Sequence, residues 1–275
     1  MNGVARRNLA ALDLATGTLD TAVDSPVGSG PTDRVRAMYT LGDHVYLGGY
    51  FGAVGGATRR RLAAVDVNGN LLTSFRPKVD APVRTLGATC GGDALIAGGD
   101  FRQAAGTDGA FEARATLAMF DPTSGALNLW SPPNAEIPNG VNAFDVSANC
   151  SQLFVGYGGS NEIYNFDVAT GSIDWHLKTG GNVQTVAING NQVLFGGHFS
   201  QVSVIGTQGN VKRTRFAVAD FNGVVQSDWV PSFGGIFKTG PWDILVDGSQ
   251  VWVGGGFSRV SGASQWDIAR FTDQP

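Results

Sequence analysis

The run Val45-Tyr46-Leu47-Gly48-Gly49-Tyr50-Phe51 is the most informative part of the chain, because its pattern of β-forming residues followed by a glycine pair returns four more times. The other copies are Leu95–Phe101 (LIAGGDF), Leu153–Tyr157 (LFVGY, degenerate), Val193–Phe199 (VLFGGHF) and Val251–Phe257 (VWVGGGF). Glycines within a strand let a neighbouring sheet or backbone approach closely. Each copy therefore predicts a buried strand.

A second apolar run ends in an aspartate that a glycine follows three or four residues later. The aspartates are Asp13, Asp66, Asp121, Asp167 and Asp220, and the glycines are Gly17, Gly69, Gly125, Gly171 and Gly223. An aspartate that accepts backbone N–H bonds, followed by a residue free to take positive φ, predicts a tight hairpin. The aspartates are 53, 55, 46 and 53 residues apart, so one structural unit repeats along the chain.

Each repeat also predicts a first strand and a fourth strand. The first strands begin at Val35, Val83, Val141, Val183 and Trp242, and the fourth strands carry Phe75, Trp130, Trp175 and Trp229. Four short antiparallel strands repeating every forty to fifty residues are typical of propeller blades. Two β-sandwiches are the alternative, but sandwiches give no reason for similar units along the whole chain. We therefore expect an all-β fold, a five-bladed β-propeller of four-stranded antiparallel blades.

The expected single domain, 1–275, has blades at 35–80, 83–135, 141–178 and 183–231, and a fifth at 242–275 completed by 1–24. Its inner strands are 242–257 and its outer strand is 17–24. Residues 8–13 and 266–272 both offer its third strand, and the N-terminal copy matches the repeat better. Joining the two termini in one sheet would remove free edges. The displaced copy would pack on the surface, add a strand, or mark an excision from a longer array.

The best copy of the repeat resembles the delta-60 repeat family of bacterial propeller repeats. The matching residues are Gly48-Gly49-Tyr50-Phe51, Val54-Gly55-Gly56, Arg59 to Leu62, Asp66, Gly69 and Phe75-Arg76-Pro77. The resemblance covers nearly the whole chain, and the unit 141–181 is the most eroded. It implies the propeller fold and a secreted or cell-surface bacterial protein, monomeric or part of a larger repeat protein. It implies little about function.

The charge and the apolar content of the chain limit the kinds of partner that we expect. The net charge is −4 and the pI is near 5.3, which argues against a nucleic-acid binder with a clustered basic face. We interpret the basic run Arg59–Arg61 as part of a loop. No stretch approaches the twenty or so apolar residues of a transmembrane helix, so no membrane insertion is expected. Residues 1–7 lack the apolar core of a signal peptide. We expect an extracellular or cell-surface location and a carbohydrate or protein partner.

No motif assigns a catalytic residue, a cofactor or a metal. The glycine pairs precede loops and strands, whereas a phosphate loop opens a helix. His44, His176 and His198 lie in different strand types, and each turn aspartate offers one carboxylate where calcium needs several oxygens. Cys90 and Cys150 fall in matching turns of adjacent blades. They either form a disulfide or lie beyond its limit of about 7 Å between Cα atoms.

A polar residue follows the first position of each first strand. These residues are Arg36, Arg84, Asn142, Gln184 and Asp243, and Trp242 stands beside the last. In a propeller they would ring the channel mouth, either binding a ligand or only water. Phe233 and Phe237, in the loop at 232–241, look exposed and add aromatic surface.

Three functions remain open. We favour a non-catalytic binding or scaffolding propeller that recognises a glycan or protein partner at the channel mouth. The alternative is a glycoside hydrolase-like or other hydrolase, which needs two carboxylates across the site. Asp243 at the rim, with Asp33, Asp80 and Glu136 in nearby loops, would have to supply them. The third is a propeller that only spaces other domains.

Overall fold

The computed structural model describes residues 3–133, 140–235 and 239–272. This described part is all-β, with antiparallel pairing throughout and no helix, as the sequence predicts. It accordingly offers no helix of the length and apolarity needed to cross a membrane. The chain divides into two compact units, Met1–Ala135 and Glu136–Pro275.

The first unit contains thirteen described strands. They are β1 (Ala11–Leu12), β2 (Leu19–Asp20), β3 (Arg34–Leu41), β4 (His44–Tyr50), β5 (Ala53–Val54), β6 (Ala57–Thr58), β7 (Leu62–Asp66), β8 (Lys78–Val79), β9 (Val83–Ala88), β10 (Leu95–Gly99), β11 (Gln103–Ala105), β12 (Glu112–Ala113) and β13 (Leu117–Phe120). Two main sheets have the orders β3-β4-β7 and β9-β10-β13. The strands β1 and β2 pair with each other.

The second unit contains the other fifteen described strands. They are β14 (Val141–Val146), β15 (Gln152–Tyr157), β16 (Glu162–Asp167), β17 (Ile173–Lys178), β18 (Val183–Asn189), β19 (Gln192–Gly197), β20 (Gln201–Ser203), β21 (Asn210–Lys212), β22 (Phe216–Asp220), β23 (Phe233–Gly234), β24 (Gly240–Asp247), β25 (Gln250–Gly256), β26 (Arg259–Val260), β27 (Ala263–Ser264) and β28 (Ile268–Phe271). Its main sheets are β14-β15-β16-β17, β18-β19-β22 and β24-β25-β28.

The glycine pairs allow two close approaches. A Cβ on the first glycine of a pair would lie 2.6 Å from Val83 at Gly48, 2.5 Å from Val183 at Gly156 and 2.6 Å from Pro241 at Gly196. In each case the contact is the first residue of the next main sheet. A Cβ on the second glycine would lie 2.1–2.3 Å from a carbonyl oxygen at the start of its own sheet. The prediction that these glycines admit neighbouring sheet and backbone is confirmed.

A full fourth strand is described only in the sheet of β14 to β17. Three other sheets hold the corresponding segment by one isolated bridge each. These bridges are Val65↔Leu71, Phe120↔Leu127 and Ala219↔Val225. The expectation of four-stranded sheets is therefore met in one described sheet, because an arginine replaces much of the ladder in these three.

Each of these arginines lies two residues before the left-handed residue that opens the third strand. One guanidinium nitrogen donates to the preceding carbonyl, and the other donates to a carbonyl of the fourth segment. Arg59 reaches Leu72 O at 3.5 Å, Arg114 reaches Asn128 O at 2.9 Å and Arg213 reaches Gln226 O at 2.6 Å. We call them the clamp arginines. The sheet with a full β17 has Gly159 at this position and needs no clamp.

Consecutive repeats are also joined outside the main sheets. The segment after each fourth strand pairs with a short hairpin in the following repeat. These pairings are Val27↔Val54, β8 with β11, Thr179↔Val202 and β23 with β26. Side chains fix the same segments: Arg61 donates to Val79 O at 2.9 Å and Arg215 to Phe233 O at 2.6 Å. Within each unit, consecutive repeats are thus attached to one another.

The sheet of β24 and β25 takes its third strand from the C-terminal copy, since β28 pairs with β25 over Val251–Gly254. The expectation that residues 8–13 occupy this place is wrong, because β1 pairs with β2 instead. A short local connection costs less closure entropy than a chain-spanning one. The N-terminal copy also has its own packing, since Leu9 joins the cluster of Val27 and Leu47.

Candidate ligand-binding site

All five main sheets have a β-bulge near the start of the first strand, among the described residues. The unpaired residues are Arg36, Arg84, Asn142, Gln184 and Trp242. A bulge inserts one extra residue, which re-aims its side chain, and bulges are common beside active sites. The second glycine of each pair makes room for this bulge. Four of the five predicted rim residues therefore occupy one equivalent, specialised position.

The fifth position is Trp242, and the predicted register is wrong there by one residue. Pro241 pairs with Gly255 as Val35 pairs with Gly49 and Val183 with Gly197. Pro241 is therefore the first position, and Trp242 is the bulge residue. Asp243 pairs with Gly254 in the regular ladder, and its carboxylate accepts the N–H of Ile244 at 3.0 Å. A proline in place of valine concealed the correspondence.

In the first unit the bulge residues are two arginines. Arg36 is exposed, while the Nε of Arg84 lies 2.9 Å from the carboxylate of Asp100. The guanidinium of Arg34 lies 4.1 Å from the ring centroid of Tyr50. Tyr50 and Asp100 both directly follow a glycine pair. Sequence reasoning missed them, although their constant place after the pair was a usable signal.

In the second unit the bulge residues carry two amides and an indole ring. Asn142 donates to Val183 O at 2.8 Å, which ties its bulge to the first strand of the next sheet. Gln184 is half-buried, and His198 is exposed at the position that corresponds to Tyr50. Trp242 is 60% exposed, so its indole ring is accessible to a partner. Amide, imidazole and indole groups can both hydrogen-bond and stack.

One carboxylate that sequence reasoning missed has a perturbed pKa. Burial raises the pKa of Asp145, although its oxygens accept the N–H groups of Val146 and Ile188, both at 2.9 Å. Asp145 lies on β14, and Ile188 lies on β18, so the carboxylate links two sheets. The role that this geometry supports is structural.

The carboxylates of the hydrolase alternative serve turns where they are described. The N–H groups of Gly30 and Ser29 lower the pKa of Asp33. Asp80 accepts the N–H groups of Arg102 at 2.8 Å and Gln103 at 3.0 Å. Glu136 lies outside the described residues. A glycosidase acid needs a raised pKa, whereas the pKa of Asp33 is lowered.

The remaining titratable groups have local roles. Hydrogen bonds from Thr16, Asn70, Ser124 and Thr170 lower the pKa of Asp13, Asp66, Asp121 and Asp167 respectively. These are the expected turn contacts. His176 lies 3.4 Å from Glu162 and stacks on Tyr164. Within the described ranges no three His, Cys, Asp or Glu residues are grouped to hold a metal.

The cysteines and loop aromatics complete the predicted candidates. Neither Cys90 nor Cys150 is a free thiol. Phe233 is fully buried, with its ring centroid 4.8 Å from that of Phe257, so the expectation that it is exposed is wrong. It belongs to β23, whose pairing with β26 turns it into the core. Phe237 lies outside the described residues.

Comparison with known proteins gives a fold but no family. No family model and no curated protein matches the chain. Many solved structures do, 994 chains in all, so the architecture is a recurrent one. One is the crystal structure of the computationally designed Ika8 protein, with a TM-score of 0.51 and 15% identity over 94% of this chain and 75% of that chain. At this identity the similarity concerns the fold alone.

Proposed function

We propose that the chain is a non-catalytic binding or scaffolding β-propeller, with its five main sheets as five blades. The five bulge residues would face one channel mouth and recognise a glycan or a protein partner there. The observation that carries the proposal is the repeated bulge. Five sheets bend their first strand at the same residue, and each presents a guanidinium, an amide or an indole at that point.

The chemistry of these positions favours a ligand over a water-filled rim. Trp and Arg dominate the energetics of protein interfaces. Trp242 is 60% exposed on a rigid sheet, so it offers apolar area at low entropic cost. The amides of Asn142 and Gln184 are the groups that hydrogen-bond hydroxyl-rich ligands. We therefore rank a glycan first among the partners, and a protein second.

Trp242 provides a direct test of binding. Isothermal titration calorimetry with glycans chosen from an array screen should detect binding to the wild type, and Arg36→Ala and Trp242→Ala should each weaken it about tenfold or more. Trp266→Ala is the matched control, since Trp266 is 50% exposed but lies at no bulge. An array without a hit, or equal weakening of binding by all three variants, would exclude a glycan as the partner of the bulge residues.

The hydrolase alternative has a separate test. Incubation with the polysaccharides that bind, followed by measurement of reducing ends, should show no product. Product whose formation stops in Asp243→Asn would reverse the assignment. The likeness to delta-60 repeats and the extracellular or cell-surface location stay predictions. A role as a spacer in a larger repeat protein would show as bulge variants that change no binding at all.

A further inference from the structure

A second groove in the first unit is unusually basic. It is a cavity of about 410 Å³ lined by Arg59, Arg60, Arg76 and Lys78, with Thr58 and Thr107 at its sides. The chain as a whole has a net charge of −4, so a cluster of four cations around one cavity is unusual for this protein. The groove is separate from the bulge residues of the proposed function.

The fold itself needs only one of these cations. Arg59 is a clamp arginine, 7% exposed, and its counterparts Arg114 and Arg213 occupy the same position in other repeats. Of the other three cations, Arg60 and Arg76 have no basic counterpart in the repeats that carry a clamp arginine, which have Ala115 and Thr214 at the place of Arg60 and Ser131 and Val230 at Arg76. At Lys78 those repeats have Pro133 and Ser232, but the repeat of β14 to β17 has Lys178. Arg60 and Arg76 are therefore additions to the scaffold.

One carboxylate is near these cations. Asp108 binds the guanidinium of Arg76 at 2.9 and 3.0 Å, from a loop in which the Asp108 side chain is 82% exposed. An exposed pair of this kind contributes little to stability. With Asp108 counted, the groove keeps a net charge of three positive groups. Burial, and to a smaller extent the charge of Arg76, lower the pKa of Arg59.

We propose that this groove binds a doubly charged oxyanion, as found in inorganic sulfate or a phosphate monoester. Guanidinium groups match the geometry of such oxygens with paired N–H donors, and lysine adds a point charge. Arg60 and Lys78 supply the free cations, and Arg76 turns from Asp108 to the ligand. The cavity has room for the ester group and part of the sugar or peptide that carries it.

Isothermal titration calorimetry at low salt tests the proposal. The probes are inorganic sulfate, inorganic phosphate, glucose 6-phosphate and, as monoanionic controls, glucose 6-sulfate and acetate. The dianions should bind and the two controls should not, and raising the salt should weaken binding because exposed charges are screened. Inorganic phosphate and glucose 6-phosphate together separate a free ion from a carried group.

Variants inside and outside the groove test whether binding depends on its residues. Arg60→Ala/Lys78→Ser should weaken binding about tenfold or more, and Asp108→Asn should tighten it about threefold, since it frees Arg76. Lys212→Ser removes a cation outside the groove and should change nothing. Trp242→Ala should also leave it unchanged, which separates this site from the proposed rim. Equal affinity in all variants, or no binding by any dianion, would overturn the proposal. Thermal unfolding of each variant checks that it is folded.

Discussion

The contact between Gly196 and Pro241 allows a sharp test of how the sheets pack. In Gly196→Ala the new Cβ would lie 2.6 Å from the Pro241 Cβ and 3.1 Å from its Cγ. Carbon atoms in contact prefer about 3.5–4.0 Å, so the neighbouring sheet must move by about 1 Å. The proline ring cannot rotate away. Overpacking of this kind costs about 1–3 kcal/mol.

Gly254 is the matched control, because it is the equivalent first glycine of the last sheet. A Cβ there has no described atom within 4 Å. Gly254→Ala should therefore be neutral or stabilise by up to about 1 kcal/mol, since alanine restricts the unfolded chain. The two variants should differ by about 1–4 kcal/mol in unfolding free energy, and each kcal/mol corresponds to roughly 2–4 °C in Tm.

Calorimetry and urea unfolding followed by tryptophan fluorescence would measure the difference. The double change Gly196→Ala/Pro241→Gly should recover part of the loss, and a double-mutant cycle isolates that coupling. Equal stability of the two single variants at the wild-type level would refute the packing described here. Equal destabilisation of both would show that Gly254 is covered in solution.

Three further predictions concern single side chains. Arg114→Ala should lower the free energy of unfolding by about 2–3 kcal/mol, because it removes the hydrogen bonds from both terminal guanidinium nitrogens to backbone carbonyls. Arg114→Lys should recover little, because a lysine ammonium lacks the paired N–H donors of a guanidinium. Lys212→Ala is the surface control in the same thermal melts. Because burial raises the pKa of Asp145, wild type loses stability as pH rises through the folded pKa, whereas Asp145→Asn does not titrate. The stability of wild type relative to Asp145→Asn should therefore be greatest near pH 3 and fall towards pH 7, and a constant difference across the range would contradict this. Peptide mapping without reductant should recover Cys90 and Cys150 in one linked peptide, and two separate peptides would exclude that bridge.

The repeated elements could be predicted from sequence, because each carries a residue with one physical role. The glycine pair at Gly48-Gly49 predicts close approach, and Asp66 with Gly69 predicts a hairpin. Both appear as expected. These residues act within their own strand or turn, or through the absence of a side chain. Local chemistry of this kind is readable without coordinates.

Elements that depend on competition between segments could not be predicted. Residues 8–13 and 266–272 both match one strand position, and the N-terminal copy matches the repeat better, yet packing selects the C-terminal copy. The bulge at Trp242 was misplaced for a similar reason, since Pro241 fills a valine position that hydrophobic pattern alone does not mark. The basic groove was also concealed, because Arg76 and Lys78 are far in sequence from Asp108.

The clamp arginines have a consequence for how the protein fails. An outer segment held by one backbone bridge and one arginine can peel away while the rest of its sheet stays folded, because few backbone bonds must break. The bare edge left behind is a template for pairing with another chain. The sheet that ends in β17 keeps its ladder and lacks this weakness. Self-association at elevated temperature should therefore begin at the clamped sheets and spare the sheet that ends in β17.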